Sequence, residues 1–326
     1  MPSQGELELV AVQEESEEGD GDSALGDGVR LLTHESSASS TASITSSILE
    51  YRKFQGRTFH SEKYDTEYFA PNDEQQRESI DISHHYLLLL LDGKLSLAHL
   101  NNDLEASHQI CFHRCLELTK VLDIGTGTGI WAIDFADQYP NAEVIGTDLS
   151  PIQPSWVPPN VKFDLEDATR DWSWSENSFD FVHMRYLIGA ISDWGVLFKE
   201  AFRCCKPGGS IESVELFKEA SKAFGRSFCE IEGDVQLLAA AGFVDLQVPV
   251  GGWAKDPKLR EVGQFLRATM EADLEGYTLM AWQQILGWPK EDYQLFVMNM
   301  RKSLRDKRVH GYIRVRFINA RKLEVV

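Results

Sequence analysis

The sequence predicts a doubly wound α/β domain, built on a mostly parallel, seven-stranded sheet with helical additions at its N- and C-terminal ends. From Lys120 onward, short β-branched segments alternate with segments of helical periodicity. The first of these strands runs straight into a glycine-rich loop, and a helix begins directly after it. Because alternating strands and helices imply a parallel sheet with helices on both faces, these observations indicate the doubly wound class.

Seven segments have the length and composition of strands. They are residues 121–124, 142–147, 161–163, 179–183, 210–214, 243–248 and 312–317. The last of them is expected to be antiparallel, as the final strand is in some doubly wound sheets. Helical spacing marks residues 130–138 and 194–204, residues 206–209 predict a turn, and residues 256–306 predict further helices.

The first 47 residues are expected to form a disordered arm. Residues 1–35 contain ten acidic residues and one basic residue, and residues 36–47 are mostly Ser, Thr and Ala. Such a composition cannot bury enough apolar surface to offset its ordering entropy. The functional alternative is an acidic arm that binds a partner.

Residues 48–100 are expected to form an ordered helical segment that packs on the main domain. Aromatic residues cluster there, and residues 81–91 have the pattern of an apolar helix. Residues 101–118 are polar and predict an irregular connector. The predicted units are therefore the arm, an N-terminal helical segment and connector over 48–118, and the α/β domain with its helical C-terminal part over 119–326.

Charge and composition exclude several classes of function. With 51 acidic and 32 basic residues the formal net charge is −19, which argues against nucleic-acid binding through the whole surface. The longest apolar run falls far short of the ~20 residues that a membrane span needs, and the acidic N-terminus has no secretory signal pattern. Five cysteines without a C-x-x-C pair predict neither a disulfide framework nor a zinc site. We therefore expect no metal, and a reducing compartment, the cytoplasm or the nucleus.

Residues 121–129, Val-Leu-Asp-Ile-Gly-Thr-Gly-Thr-Gly, form the most informative segment of the sequence. Glycines at such a turn permit a positive φ and let a ligand approach the backbone closely. The N-terminus of the helix that follows offers free N–H groups and the positive end of the helix dipole. We therefore expect a nucleotide-type ligand at the point where the strand order reverses.

The spacing of the glycines distinguishes between two ligand classes. It reads G-x-G-x-G, and Ile130 stands where the dinucleotide fingerprint G-x-G-x-x-G has its third glycine. Asp123, two residues before Gly125, would repel a pyrophosphate but suits the ammonium and sulfonium groups of S-adenosylmethionine. These features favour S-adenosylmethionine over a nicotinamide dinucleotide.

Acidic residues also end the next two predicted strands. Asp148, after the second strand, can accept hydrogen bonds from ribose hydroxyls in either ligand class. Asp167, after the third strand, can accept from an adenine amino group, and Ala168 would supply the next backbone N–H. Helix capping is the alternative role, since Asp is a frequent N-cap residue. The positions of Asp123, Asp148 and Asp167 at three successive strand ends favour cofactor binding.

These segments resemble those of class I S-adenosylmethionine-dependent methyltransferases, a Rossmann-like family with a D-x-G-x-G-x-G loop. More narrowly, the chain resembles the fungal LaeA-like methyltransferases of secondary metabolism, from about residue 48 to its C-terminus. The matching segments are residues 51–52, 56–57, 67–69, 71–74, 84–85, 91–95, 121–131, 144–160, 179–183 with Arg185, 206–209 and 287–288.

The resemblance implies roles for individual residues. The cofactor would contact the three loop glycines, Gly125, Gly127 and Gly129. His183 and Arg185, after the fourth strand, would face the transferred methyl group. His183 is the candidate general base, because imidazole titrates near neutrality. The alternative is a strand-end histidine that only bonds to its neighbours.

Two segments depart from the family's pattern. Directly after Glu215, residues 216–220 already have the pattern of a helix that comes later in the family, so a substrate-side segment is missing. Residues 101–118 are longer than the usual connector. The first departure predicts a shortened acceptor side of the pocket.

Together these observations predict an S-adenosylmethionine-dependent methyltransferase that acts on a small-molecule acceptor in fungal secondary metabolism, with no nucleic-acid or membrane partner. The alternative is a LaeA-like regulatory protein that keeps the cofactor fold and acts through protein partners on secondary-metabolite gene expression. The region from Lys290, with ten basic and four acidic residues, is expected to be a solvated helix face, or else a nuclear-import or protein-docking patch. A nicotinamide-dependent dehydrogenase is disfavoured by Asp123 and Ile130.

Overall fold

The computed structural model describes residues 49–64, 68–98, 100, 118–217 and 243–323. Near the start of these residues lies an antiparallel hairpin of β1 (Tyr51–Phe54) and β2 (Arg57–Ser61). Its loop residues Gln55 and Gly56 have positive φ angles of 51° and 82°. Two consecutive left-handed residues match the twist of the flanking strands, which is why this turn joins a tight hairpin.

Seven further strands of the described residues build one sheet. They are β3 (Lys120–Ile124), β4 (Glu143–Asp148), β5 (Val161–Leu165), β6 (Phe179–Arg185), β7 (Cys205–Phe217), β8 (Phe243–Pro249) and β9 (Tyr312–Arg321). Their order is β5-β4-β3-β6-β7-β9-β8. The strands from β3 to β7 pair in parallel, and β9 is antiparallel to both β7 and β8. The predicted doubly wound, mostly parallel sheet is therefore confirmed, with its antiparallel last strand.

The strand order reverses at β3, because β4 and β5 lie on one side of this strand and β6 and β7 on the other. The connections that leave the carboxyl ends of β3 and β6 therefore diverge, and a crevice opens between them. The glycine-rich loop, residues 125–129, follows β3 and lies at this crevice.

Four of the described helices begin at an aspartate cap. The described helices are α1 (Glu74–Leu90), α2 (Ile130–Gln138), α3 (Trp194–Cys204), α4 (Pro257–Ala272), α5 (Leu274–Leu279) with a π-helical continuation (Met280–Ile285), and α6 (Lys290–Arg305). Asp73, Asp193, Asp256 and Asp273 stand at the N-caps of α1, α3, α4 and α5, and each side chain accepts a backbone N–H of the first turn. Each cap satisfies a donor that the helix itself leaves free.

The sheet is covered on both faces, as the alternation along its strands requires. Val121 of β3 packs with Trp131 and Phe135 of α2, whereas its neighbour Leu122 packs on the opposite face with Leu197 of α3. Successive strand residues point to opposite faces, so a strand buried on both sides is apolar at consecutive positions.

The N-terminal segment differs from its prediction. Helix α1 covers residues 74–90 and begins earlier than the predicted 81–91, but residues 51–61 form the hairpin rather than helix. Its strands are only four and five residues long, too short for periodicity to distinguish them from helix. Residues 206–209, predicted as a turn, belong to an irregular first part of β7, which pairs with β6 through a register shift.

Several predictions concern residues outside the described ranges. The disordered arm over 1–47 and nearly all of the connector over 101–118 fall there, and so do residues 218–220 of the segment after Glu215. Residues 216–217 of that segment belong to β7 and are not helical. The predicted unit boundaries stay predictions. In the described part of the chain, none of the helices combines the length and the apolar character that a bilayer span requires.

Arg57 connects the hairpin to two helices. Its guanidinium donates to both carboxylate oxygens of Asp73 at 2.5 and 2.7 Å, and to both carboxylate oxygens of Asp273 at 2.7 Å. The side chain of Asp273 is completely buried and that of Arg57 nearly so. A planar guanidinium matches two carboxylates at once, so it fixes the hairpin against the N-termini of α1 and α5.

Removal of the Arg57 side chain should destabilise the protein strongly. We expect Arg57→Ala to lower the free energy of unfolding by about 3–5 kcal/mol, because the buried carboxylate of Asp273 is left uncompensated. Urea unfolding of both proteins measures the difference. Arg308→Ala, which removes a pair whose arginine side chain is 90% exposed, is the control and should cause no measurable change. Equal effects of the two substitutions would contradict the structural role of Arg57.

Candidate active site

A pocket at the carboxyl ends of β3, β4 and β6 brings together most of the residues that the sequence singled out. Those on its wall are Asp123, Gly125, Gly127, Asp148, Asp167, Ala168 and Arg185. The remaining wall comes from the segment before α1, from α1, α2, α4 and α5, from the loops after β4, β5 and β6, and from single residues of β2, β7 and β9. Two of the predicted residues, Gly129 and His183, do not line it.

The glycine-rich loop has the backbone that only glycines adopt easily. Gly125, Gly127 and Gly129 have φ angles of 65°, 59° and 79°. A Cβ on Gly125 would collide with the side chain of Leu187, and one on Gly129 would collide with the ring of Phe163. Conformation thus favours glycine at all three positions, and close packing adds to this at Gly125 and Gly129, whatever ligand the loop holds.

Asp123 is held rigidly behind this loop. It is 2% exposed, and its two oxygens accept from the Thr126 hydroxyl at 2.6 Å and from Nδ1 of His183 at 2.7 Å. The parallel register of β3 with β6 sets these residues side by side. Each carboxylate oxygen of Asp123 accepts one of these hydrogen bonds. Each oxygen keeps a lone pair that can accept from a ligand in the pocket.

His183 is a buried partner of Asp123 rather than a wall residue. It is 1% exposed, and its ring stacks on Trp131 with 3.7 Å between centroids and an angle of 4°. Burial lowers its pKa, which favours the neutral ring, and the proton lies on Nδ1 because the Asp123 carboxylate can only accept. The structure therefore places His183 behind Asp123 and off the pocket wall, bonded to its neighbours as in the alternative role, and a position that faces the transferred methyl stays a prediction.

Asp148 lies at the end of β4, against the glycine loop. Its carboxylate accepts from the N–H of Gly127 at 2.8 Å and from the N–H of Ser150 at 3.0 Å. Burial in the pocket raises its pKa to about 6. Gln153, which the sequence analysis did not single out, donates to the carbonyls of Gly127 and Ser150 at 2.7 and 3.1 Å. The only signal for Gln153 was its place within the matched segment 144–160.

Asp167 lines the pocket and also organises its own turn. Its Oδ1 accepts from the N–H and the hydroxyl of Thr169 at 3.0 and 2.6 Å, and Arg170 donates to Oδ2 at 3.3 Å. The neighbouring carbonyl of Ala168 accepts from the indole of Trp172 at 3.2 Å. Asp167 therefore caps a turn rather than a helix, since no helix begins there, and these bonds fix both residues at the wall.

Arg185 is oriented from behind by a histidine and a carboxylate. It donates to Nδ1 of His84 at 3.1 Å, and Nε2 of His84 donates to Asp134 at 2.9 Å. Burial lowers the pKa of His84 in spite of its bond to Asp134, so the ring is neutral. Because its two nitrogens bond to Asp134 and Arg185, the ring fixes the orientation of the Arg185 side chain. Among the described residues of the wall, Arg185 is the one arginine or lysine.

The aromatic part of the wall carries no clear signal in the sequence. Tyr68, Tyr86, Tyr186 and Tyr277 line the pocket, and the hydroxyls of Tyr86 and Tyr186 lie 2.5 Å apart. Tyr186 has a φ of 58°, a conformation that costs energy for a bulky residue and often marks a functional site. The signals were weak: Tyr68 lies in a matched segment, and Tyr186 directly follows Arg185.

The described residues contain no group of three or more His, Cys, Asp or Glu side chains with the arrangement of a metal site. Their adjacent histidines face different partners, since His84 bonds to Asp134 and His85 packs on Phe265.

Comparison with known proteins identifies the family. A family described as a methyltransferase domain matches residues 83–248. Methyltransferase pytC of Aspergillus terreus is 31% identical over 302 residues, 84% of this chain and 88% of that protein. The secondary metabolism regulator LAE1 of Cochliobolus heterostrophus is 29% identical over 298 residues, 82% and 93% of the two chains. Among solved structures, phosphoethanolamine N-methyltransferase 2 of Haemonchus contortus aligns with a TM-score of 0.42 and 19% identity, over 65% of this chain and 50% of that one. The chain belongs to the methyltransferase family, as the sequence predicted.

Gly129 should be intolerant of even one added methyl group. Gly129→Ala forces a left-handed alanine and drives its Cβ into the Phe163 ring, so the free energy of unfolding should fall by about 1–3 kcal/mol more than for a matched control. Gly287→Ala is that control, because Gly287 has a φ of +66° and no atom lies within 4 Å of the place that an added methyl group would take. Urea unfolding compares the two, and equal losses would show that packing against Phe163 contributes nothing.

Proposed function

We propose that the pocket binds S-adenosylmethionine and directs its methyl group to a small, uncharged acceptor. The charge of the wall carries this proposal. Five carboxyl groups line it, on Asp123, Asp148, Glu166, Asp167 and Glu215, against the single guanidinium described above. S-adenosylmethionine presents two positive groups and one carboxylate to such a wall, whereas the pyrophosphate of a dinucleotide would be repelled.

The strand order suggests how the cofactor lies. Asp148 and Asp167 follow β4 and β5, on one side of β3, and Arg185 ends β6 on the other side. Asp148 would accept from the ribose hydroxyls, and Asp167 with Ala168 would meet the adenine. The methionine part then extends toward β6, where Asp123 suits its ammonium group and Arg185 its carboxylate.

The bound cofactor would supply an activated methyl group on a sulfonium. The protein's own part is to position the two reactants and to exclude water. The segment before α1 contributes to this enclosure, because Phe69, Pro71 and Asn72 line the pocket and Asn72 bonds to the Ser150 hydroxyl at 3.2 Å. Since His183 does not reach the wall, it supports Asp123 rather than accepting a proton from the acceptor.

The acceptor side of the pocket is apolar. Leu187, Ile188, Ile191, Leu266 and Met270 line it together with the tyrosine hydroxyls. Such a wall favours a small apolar molecule with few polar groups. The names of similar proteins, a pathway methyltransferase and regulators of secondary metabolism, are compatible with a secondary metabolite as acceptor.

A protein acceptor or partner is the second candidate. Its specific support is that one relative, 26% identical over 304 residues, is named a protein-methionine methyltransferase and others are named regulators. Turnover of a metabolite panel, set against methylation of proteins in an extract with labelled cofactor, distinguishes the two candidates.

Cofactor binding is tested by titration calorimetry with S-adenosylmethionine, S-adenosylhomocysteine and NAD. We expect binding of the first two, none of NAD, and a loss of about 10- to 100-fold in Asp148→Ala, which removes charged hydrogen bonds to the ribose. Asp137→Ala, at an exposed acid on α2, is the matched control and should bind like the wild type. Absence of binding to a folded wild-type protein would refute the proposal.

The affinity for S-adenosylhomocysteine should depend on pH through Asp148. Its pKa of about 6 means that the carboxylate is ionised at neutral pH and protonated in mild acid. Only the ionised form accepts from two ribose hydroxyls, so the affinity should fall as the pH drops below 6, approaching about tenfold per unit. Titrations at pH 7.5, 6.0 and 5.0 measure this fall, and Asp148→Ala should show a much flatter profile.

A further inference from the structure

A buried carboxyl group near the end of β7 lines the pocket, but the arrangement above assigns it no individual part of the cofactor. Glu215 is 2% exposed and lines the pocket. Its Oε1 accepts from the N–H of Leu187 at 3.1 Å, and its Oε2 accepts from the N–H of Ile188 at 3.2 Å. We propose that Glu215 is the counter-charge of the cofactor's sulfonium, ionised while S-adenosylmethionine is bound and protonated while S-adenosylhomocysteine is bound. This inference rests on the proposed function.

The position of Glu215 relative to the glycine loop supports this role. Its two hydrogen bonds hold the loop after β6, and the side chain of Leu187 in that loop packs directly over Gly125. In the proposed arrangement, with the adenosine over β4 and β5, the sulfur would lie on the opposite side of β3, toward the loop after β6. Glu215 is the carboxyl group of the wall that comes from β7, the strand beyond β6 in that direction.

Among the groups around the proposed position of the sulfonium, Glu215 is the one whose protonation state a cation would change. Burial raises the pKa of Tyr68 and of Tyr186, and the charge of Glu215 adds to both shifts, so both phenols are neutral near pH 7. Of the permanent cations, Arg185 lines the same wall and Arg316 lies opposite Glu215 in the register of β7 with β9. Asp123 and Asp148 face the ammonium and the ribose, which both ligands share.

Burial raises the pKa of Glu215 to about 8, although two backbone N–H groups favour its charge. In the free protein at neutral pH most Glu215 side chains are therefore protonated. A sulfonium placed nearby lowers this pKa and expels the proton, whereas the neutral sulfur of S-adenosylhomocysteine leaves it in place. Binding of the first ligand should thus release a proton that binding of the second retains.

The test counts protons by calorimetry of the full-length protein at pH 7.0 in buffers of different ionisation enthalpy. With a pKa of about 8, ~0.9 of the free Glu215 side chains carry a proton at this pH. S-adenosylmethionine should therefore release at least about half a proton more than S-adenosylhomocysteine does. The ratio of the two affinities should rise with pH up to about 8 and then level off.

Two variants show whether the released proton comes from Glu215. In Glu215→Gln the difference between the ligands should fall by the same fraction of a proton, because the ligand's own amino group titrates equally in variant and wild type. Glu212→Gln is the matched control. Glu212 is a buried carboxyl group on the same strand, with a pKa raised by burial to about 7, but it accepts from the N–H groups of Leu97 and Ala98 and does not line the pocket.

The outcomes are distinct. Equal proton release for both ligands in the wild type, or a difference that persists in Glu215→Gln, overturns the inference while the proposed function stands. No binding of either ligand overturns the proposed function itself. If Glu215→Gln loses the fold or all binding, the wild-type affinity ratio decides: a ratio that does not change between pH 6.5 and 8 overturns the inference, and one that rises supports it.

Discussion

The pairing of Arg57 with Asp73 and Asp273 is the interaction on which the closed form of the pocket depends. The sheet and its glycine loop supply only the floor, and the cover comes from the segment before α1 and from α1 itself. These pieces are distant in sequence from α5, yet one guanidinium joins the caps of α1 and α5 through four hydrogen bonds. Because the Asp273 side chain is fully buried, displacement of Arg57 with the cover would leave this carboxylate without its counter-charge, which disfavours such a movement.

Enclosure explains the electrostatics of the site. Removing water from around carboxyl groups disfavours their charged form, which is why burial raises the pKa of both Asp148 and Glu215. Different loops hold the two carboxyl groups in position. Asp148 accepts a backbone N–H of the glycine loop, and Glu215 accepts a backbone N–H of the loop after β6. A ligand with spaced positive groups offsets this cost, so the cover and the charge of the ligand depend on each other.

The sequence predicted the sheet well, and most of the residues that it singled out meet at one pocket, because those features are local. Strand alternation, the glycine spacing and the acids at strand ends each lie within a few residues. The position of His183 was different, since it depends on the register between β3 and β6 that sets the imidazole beside Asp123 and away from the pocket. The hairpin and the role of Glu215 also depend on contacts across long stretches of chain, which no local pattern contains.

The loop after β6 links the charge of Glu215 to the shape of the pocket wall. Three consecutive N–H groups of this loop are bonded to β7: Tyr186 to the carbonyl of Val214 at 3.0 Å, and Leu187 and Ile188 to Glu215. These bonds help to hold Tyr186 in its left-handed conformation, a strain that needs support from its surroundings. Two of the three bonds are strongest when Glu215 is ionised. A cation that favours the ionised carboxylate therefore also tightens the wall, and by reciprocity a tight wall favours the cation.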